Sequence, residues 1–151
     1  MKVLLIAACL LATQAATSCQ TEADVRPANY DALALETGHW EWESTAYMSG
    51  KRTPATEGFT RQLVFTPDRQ VLITHNRQFN KQTTYVLSMG TVCGAPQTSP
   101  IITYETDSDL PNNDRKTYQT TQMGTDQHLM LVGEHACVDG GAYETYRWVK
   151  E

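Results

Sequence analysis

From Gly38 to the C-terminal residue, large apolar side chains recur at every second position, and no other feature constrains the fold as strongly. Trp40 and Trp42 alternate with His39, Glu41 and Glu43. Phe59, Leu63 and Phe65 alternate with Thr60, Gln62 and Thr66, and Val71 and Ile73 with Leu72 and Thr74. Tyr85, Leu87 and Met89 share a face, as do Leu129 and Leu131. Ile101 to Thr106, Arg115 to Gln122 and Tyr143 to Val149 are rich in Thr, Tyr and β-branched residues. A period of two places alternate side chains on opposite faces of a pleated strand, and β-branched and aromatic residues suit that half-buried surface. Turn-formers interrupt the runs at Pro67-Asp68-Arg69, Asn76 to Lys81, Gly94 to Pro100, Asp107 to Asp114, Gly124-Thr125-Asp126 and Asp139-Gly140-Gly141. These breaks leave about eight strands joined by short links, with no helical stretch long enough for a parallel crossover. The pattern predicts an all-β fold: a small antiparallel up-and-down β-barrel of about eight strands, closed so that no edge is exposed. A two-sheet sandwich is the alternative.

The chain carries 12 Lys and Arg against 17 Asp and Glu, a net charge of −5, with no basic cluster. That balance argues against nucleic acid and against charge-driven binding to anionic lipid. Residues 36–151 make one domain of ordinary size, expected to be a monomer without a cofactor.

The N-terminus reads as an export signal over residues 1–18. Lys2 supplies a positive start, Val3 to Ala12 an apolar stretch, and Thr13 to Ser18 a small, polar end. The apolar stretch is shorter than the roughly 20 residues of a membrane-spanning helix. Ala16-Thr17-Ser18-Cys19 resembles a bacterial lipobox, in which the cysteine becomes a lipidated N-terminus. Several acyl chains on one residue anchor stably, since each buried methylene contributes about 0.8 kcal/mol. Membrane contact would then come through Cys19, followed by a polar tether over residues 19–35 in which Tyr30 to Leu35 can make a helical turn. Gln20 after the cysteine implies an outer-membrane lipoprotein of the bacterial envelope. Ordinary cleavage, giving a periplasmic or secreted protein with a free Cys19, is the alternative.

Cys9 leaves with the signal and Cys19 takes lipid, so Cys93 and Cys137 remain as one pair in an oxidising compartment. A disulfide between them would contribute about 4 kcal/mol in the chain-entropy model. Neither has a second Cys or His at zinc-site spacing.

Gly38-His39-Trp40 at the opening of the first strand resembles the first motif of lipocalins and their calycin relatives. Trp-x-Trp at Trp40 and Trp42, the loop from Ser49 to Gly58, the Leu63 to Asp68 hairpin and the closing Tyr146-Arg147-Trp148 are similar to short lipocalin-like domains on lipoproteins of Bacteroidetes-type bacteria. Thr106-Asp107-Ser108 matches only a fragment of the lipocalin middle motif. The resemblance implies a barrel closed at one end by Gly38, Trp40 and Arg147, the guanidinium packing across the indole. It also implies a binding module, whose cavity for a small apolar ligand would be lined by Trp42, Phe65, Ile73, His75, Tyr85, Leu87, Leu129 and Leu131. The same side chains, with Tyr143, Tyr146 and Trp148, equally suit a filled interior, and a structural or interaction lipoprotein is the alternative.

Catalytic patterns are sparse. No serine lies in a Gly-x-Ser-x-Gly elbow, so a hydrolase has little support. His39, His75, His128 and His135 show no metal-ligand spacing, although His75 shares the inward parity of Val71 and Ile73. Asp107, Asp109, Asn112 and Asp114 make an oxygen-rich loop that reads as a solvated turn. Glu41, Glu43, Glu105 and Glu144 are the carboxylates from which an acid–base pair would be drawn, and Glu41 and Glu43 lie opposite the tryptophan face.

Cys19→Ala is expected to move the protein from the membrane to the soluble fraction. Non-reducing peptide mapping of the exported wild type is expected to yield an acylated Cys19 peptide and a Cys93–Cys137 linkage. A soluble wild type with an unmodified Cys19 and a free Cys137 thiol would contradict both readings.

Overall fold

The computed structural model describes residues 26–92, 96–105, 115–138 and 140–151. Nine strands form one antiparallel sheet: β1 (Gly38–Tyr47), β2 (Gly50–Arg52), β3 (Arg61–Phe65), β4 (Gln70–His75), β5 (Gln78–Gly90), β6 (Ser99–Tyr104), β7 (Arg115–Met123), β8 (Asp126–Gly133) and β9 (Tyr143–Lys150). Each strand from β3 to β9 pairs with the next in sequence, and β9 returns to β1. The result is a closed, up-and-down barrel of eight strands with β2 as an extra edge. The sandwich alternative does not hold, because β1 and β9 pair from Gly38↔Lys150 to Ala46↔Tyr143 and close the sheet on itself.

Local chemistry sets the turns. Asn76 and Arg77 both take positive φ, 51° and 64°, and join β4 to β5 as a two-residue hairpin whose hand suits twisted strands. The link is shorter than the Asn76 to Lys81 turn expected from sequence, because strand pairing resumes at Gln78. Asn76 also accepts from the Thr60 backbone N–H at 2.9 Å, which fixes the hairpin to the start of β3. Pairing register shifts at two places, one of them between Ile73 and Thr74 of β4. Between Trp42 and Ser44 the β1–β9 register shifts. On its other edge β1 pairs first with β3, at Trp40↔Leu63, and beyond the bulge with β2, at Thr45↔Arg52. The loop expected over Ser49 to Gly58 therefore contains β2 and one helical turn, α1 (Pro54–Glu57), capped by Thr53.

Inward positions alternate as predicted. Trp40, Trp42, Leu63, Phe65, Val71, Ile73, Tyr85, Leu129, Leu131 and Tyr146 are all buried in one core cluster, and Leu87 packs against it half-buried. An eight-stranded barrel is just wide enough for such side chains to fill. A 3-10 turn, Tyr30–Ala32, plugs one end. Behind it, Leu33 is fully buried, and its carbonyl accepts from the Trp40 indole Nε1 at 2.5 Å. The Tyr30 hydroxyl donates to the Phe65 carbonyl at 3.2 Å.

The expected contact of Arg147 with Trp40 is corrected here. Arg147 lies on the outer face of β9, 46 % exposed, and its guanidinium reaches Glu41 on β1 at 3.5 Å. Alternation explains why: Glu144, Tyr146 and Trp148 take the inward positions, so Arg147 cannot. The ring that meets Trp40 is Trp148, edge-on with centroids 5.0 Å apart. Gly38 keeps a structural role, since a Cβ there would lie 2.3 Å from the Val149 carbonyl oxygen.

Equilibrium denaturation should separate these two positions. Trp40→Ala is expected to cost about 3–5 kcal/mol, as for removal of a core aromatic. Arg147→Ala, which breaks only an exposed ion pair, should stay within about 0.5 kcal/mol of wild type. A cost for Arg147→Ala approaching that of Trp40→Ala would restore the Trp40–Arg147 plug.

Candidate functional site

The barrel end opposite the plug is its mouth, where three charged side chains occupy inward positions. Arg61 opens β3 with the parity of Leu63 and Phe65; Lys116 precedes Tyr118 on β7; Glu144 precedes Tyr146 on β9. All three are buried. Glu144 takes Lys116 Nζ on Oε1, and on Oε2 it accepts the Tyr146 hydroxyl at 2.7 Å and faces Arg61 Nη1 at 3.4 Å. The Arg61 guanidinium is stacked on the Trp42 ring at 4.7 Å, with the Tyr146 ring at 5.9 Å. Trp42 in turn donates from Nε1 to Thr45 Oγ1 at 2.9 Å, which fixes the indole orientation.

Burial of charge is costly unless the ions are paired and hydrogen-bonded. Glu144 meets that condition with three donors. Arg61 does not meet it fully. Its contact with Glu144 is long for a charge-assisted hydrogen bond, which runs at about 2.7–2.9 Å, and its Nε has no acceptor among the described residues. The Tyr104 hydroxyl, also buried, has no partner among the described residues. Burial raises the Tyr104 and Tyr146 phenols well above the ordinary value, and the Glu144 charge adds to the shift.

Above Arg61 lies a pocket of about 110 Å³, lined by the rings of Trp42, Tyr47, Phe59 and His75, with Arg52 and Glu57 at its rim. The rings are organised: Phe59 stacks on Trp42 at 5.6 Å and sits 4.9 Å from His75. Arg52 and Glu57 pair at 3.9 Å, and Arg52 covers the Tyr47 ring at 5.1 Å. The extra strand and α1 thus form one wall of the mouth. A larger cleft of about 580 Å³ opens in the side wall, where β6 and β7 part beyond their short pairing; Met89, Pro100, Tyr118 and Met130 line it with Asn29 and Ala32 of the plug. Among the described residues no charged side chain lines the cleft, and the mouth holds the buried ionic cluster.

Of the residues expected to line a cavity, the structure brings only Trp42 and His75 to the mouth pocket. Phe65, Ile73, Tyr85, Leu129 and Leu131 are buried among one another, Phe65 and Tyr85 edge-on at 5.3 Å. The expected deep calyx is filled there by the chain's own side chains. Tyr143, placed among the candidate aromatics, is 47 % exposed on the outside. The four candidate carboxylates occupy different surroundings: Glu41 and Glu43 face outward toward Arg147 and His128, Glu105 is exposed and takes the Thr84 hydroxyl at 2.6 Å, and Glu144 is interior. Cys19, Cys93 and the Asp107 to Asp114 loop lie outside the described residues. Comparison with protein-family models, curated proteins and solved structures gives no match.

The buried phenols make alkaline pH destabilising. A folded-state pKa raised above the unfolded value of about 10 means that, beyond pH 10, the unfolded chain releases protons that the folded barrel retains, so stability falls as pH rises. Tyr104 and Tyr146 are expected to ionise only as the barrel unfolds, in one cooperative step. Phenolate absorbance followed against pH together with far-UV circular dichroism measures this. Smooth titration of every tyrosine with the fold intact would contradict it.

Proposed function

We propose that the chain is an exported, lipid-anchored binding module of lipocalin-like kind that takes a small molecule at the barrel mouth. One observation carries the reading: the aromatic pocket formed by Trp42, Tyr47, Phe59 and His75 lies over an interior that is otherwise filled. Pockets lined by aromatic rings around a few placed polar groups are the usual form of small-molecule sites. The ligand is therefore compact and shallowly seated rather than a long chain threaded along the axis. No reaction is assigned to it. Cys19 would hold the barrel to the envelope membrane.

The disulfide fits this reading. Ile101 faces outward from β6 yet is fully buried, with Gly90, the last residue of β5, directly against it. A Cβ on Gly90 would lie 3.4 Å from the Arg115 guanidinium, which pairs with Glu134 at 2.5 Å. Glu134 opens the 3-10 segment Glu134–Val138 that carries Cys137. The segment that carries Cys137 therefore lies near Gly90 on the outer wall, and a Cys93–Cys137 disulfide is part of the proposal.

The alternative, an interaction lipoprotein with no ligand, draws on the filled interior and on exposed Met89, Met123 and Met130. A neutral aromatic probe decides between them. In NMR titration, benzyl alcohol is expected to shift the Trp42 indole N–H saturably while leaving that of Trp40 unmoved. Absence of any saturable shift at Trp42 would favour the interaction reading.

A further inference from the structure

We infer that the mouth pocket is built for a small carboxylate, whose charge is met by the unfilled edge of Arg61; this rests on the binding reading above and names its ligand class. The inference begins with the hydrogen bonding of the guanidinium. Arg61 is 4 % exposed, and its side chain keeps its charge at any ordinary pH. Trp42 covers one part of it and Tyr146 another, so acceptors can reach it only in the guanidinium plane. In that plane Nη1 turns to Glu144, but at 3.4 Å, and Nε finds no acceptor among the described residues. Neither oxygen of Glu144 bonds Nε. Oε1 accepts from Lys116, and Oε2 accepts from the Tyr146 hydroxyl at 2.7 Å and from Arg61 Nη1.

Burying a guanidinium with an unused donor is less unfavourable once an anion completes it. The edge that remains, Nε with the second terminal nitrogen, is the one that takes both oxygens of a carboxylate in parallel hydrogen bonds. The surroundings define the rest of the ligand. Phe59, Trp42, Tyr47 and His75 offer flat apolar faces, and a pocket of about 110 Å³ admits a body of few heavy atoms. The rim charges of Arg52 and Glu57 pair with each other and leave Arg61 as the cation facing inward to the site. Arg61 lines the pocket while its Nε is itself buried, so a carboxylate that reaches this edge must displace part of the pocket lining. The chemistry specified is a compact monocarboxylate with a planar apolar body, for which benzoate is the simplest probe.

The test compares benzoate with benzyl alcohol on the wild-type barrel by NMR titration, observing the Trp42 indole N–H and the Arg61 Nε–H. Benzoate is expected to bind at least about 10-fold more tightly and to move the Arg61 Nε–H downfield, as a charge-assisted hydrogen bond requires. Arg61→Gln leaves Lys116 and Glu144 to neutralise each other and should abolish the preference for benzoate, whereas Arg147→Ala on the outer wall should change it less than about twofold. If Arg61→Gln does not fold, the wild-type Nε–H shift alone decides. Equal binding of the two probes, or benzoate binding without movement of the Arg61 Nε–H, overturns the carboxylate inference and leaves the binding module standing. Failure of both probes to shift Trp42 overturns the binding reading itself.

Discussion

The buried Glu144 carboxylate is the interaction on which the open half of this barrel depends. Strand alternation and hydrophobic burial suffice for the closed half, where Trp40, Leu63, Phe65 and Leu33 pack around the plug. Near the mouth the inward positions pass to Arg61 and Lys116, and two cations cannot share a desolvated space without a counter-charge. Glu144 provides it from β9 and so ties together β3, β7 and β9, strands that are not all neighbours in the sheet. The tie crosses the barrel interior, in addition to the backbone hydrogen bonds around its wall.

The same cluster connects fold to function. Hydrophobic residues in these three places would give a sealed, inert core. Charged ones keep the mouth polar at its floor while Trp42, Phe59, Tyr47 and His75 keep its walls apolar. That combination is what the proposed binding site rests on. The β1 bulge contributes by releasing the end of β1 from β3, so that β2 and α1 can fold in as a rim.

Much of the fold was legible in the sequence because period two is a strong signal: Trp40 and Trp42, Leu63 and Phe65, Val71 and Ile73, and Leu129 and Leu131 all face inward as alternation demands. The closing arginine was misplaced where family resemblance took precedence over parity. Arg147 has the parity of Tyr143 and Thr145, on the outer face, and Trp148 has the inward parity and makes the contact with Trp40. The mouth was legible in principle. Arg61, Lys116 and Glu144 each share a face with the aromatic or aliphatic residue two positions on, Leu63, Tyr118 and Tyr146. Charged residues are ordinarily exposed, and strand ends are where alternation is least binding, so the pattern alone did not mark them as interior. Short β2 and its helical turn gave no periodicity at all, since each spans three or four residues.

Equilibrium denaturation of Glu144→Gln tests the central claim most directly. Removing the carboxylate charge leaves Lys116 and Arg61 buried together, and the account predicts a loss of about 3–5 kcal/mol with the fold otherwise retained. A loss below about 1 kcal/mol would mean that the cations are hydrated or neutralised in another way, and that the mouth does not depend on Glu144.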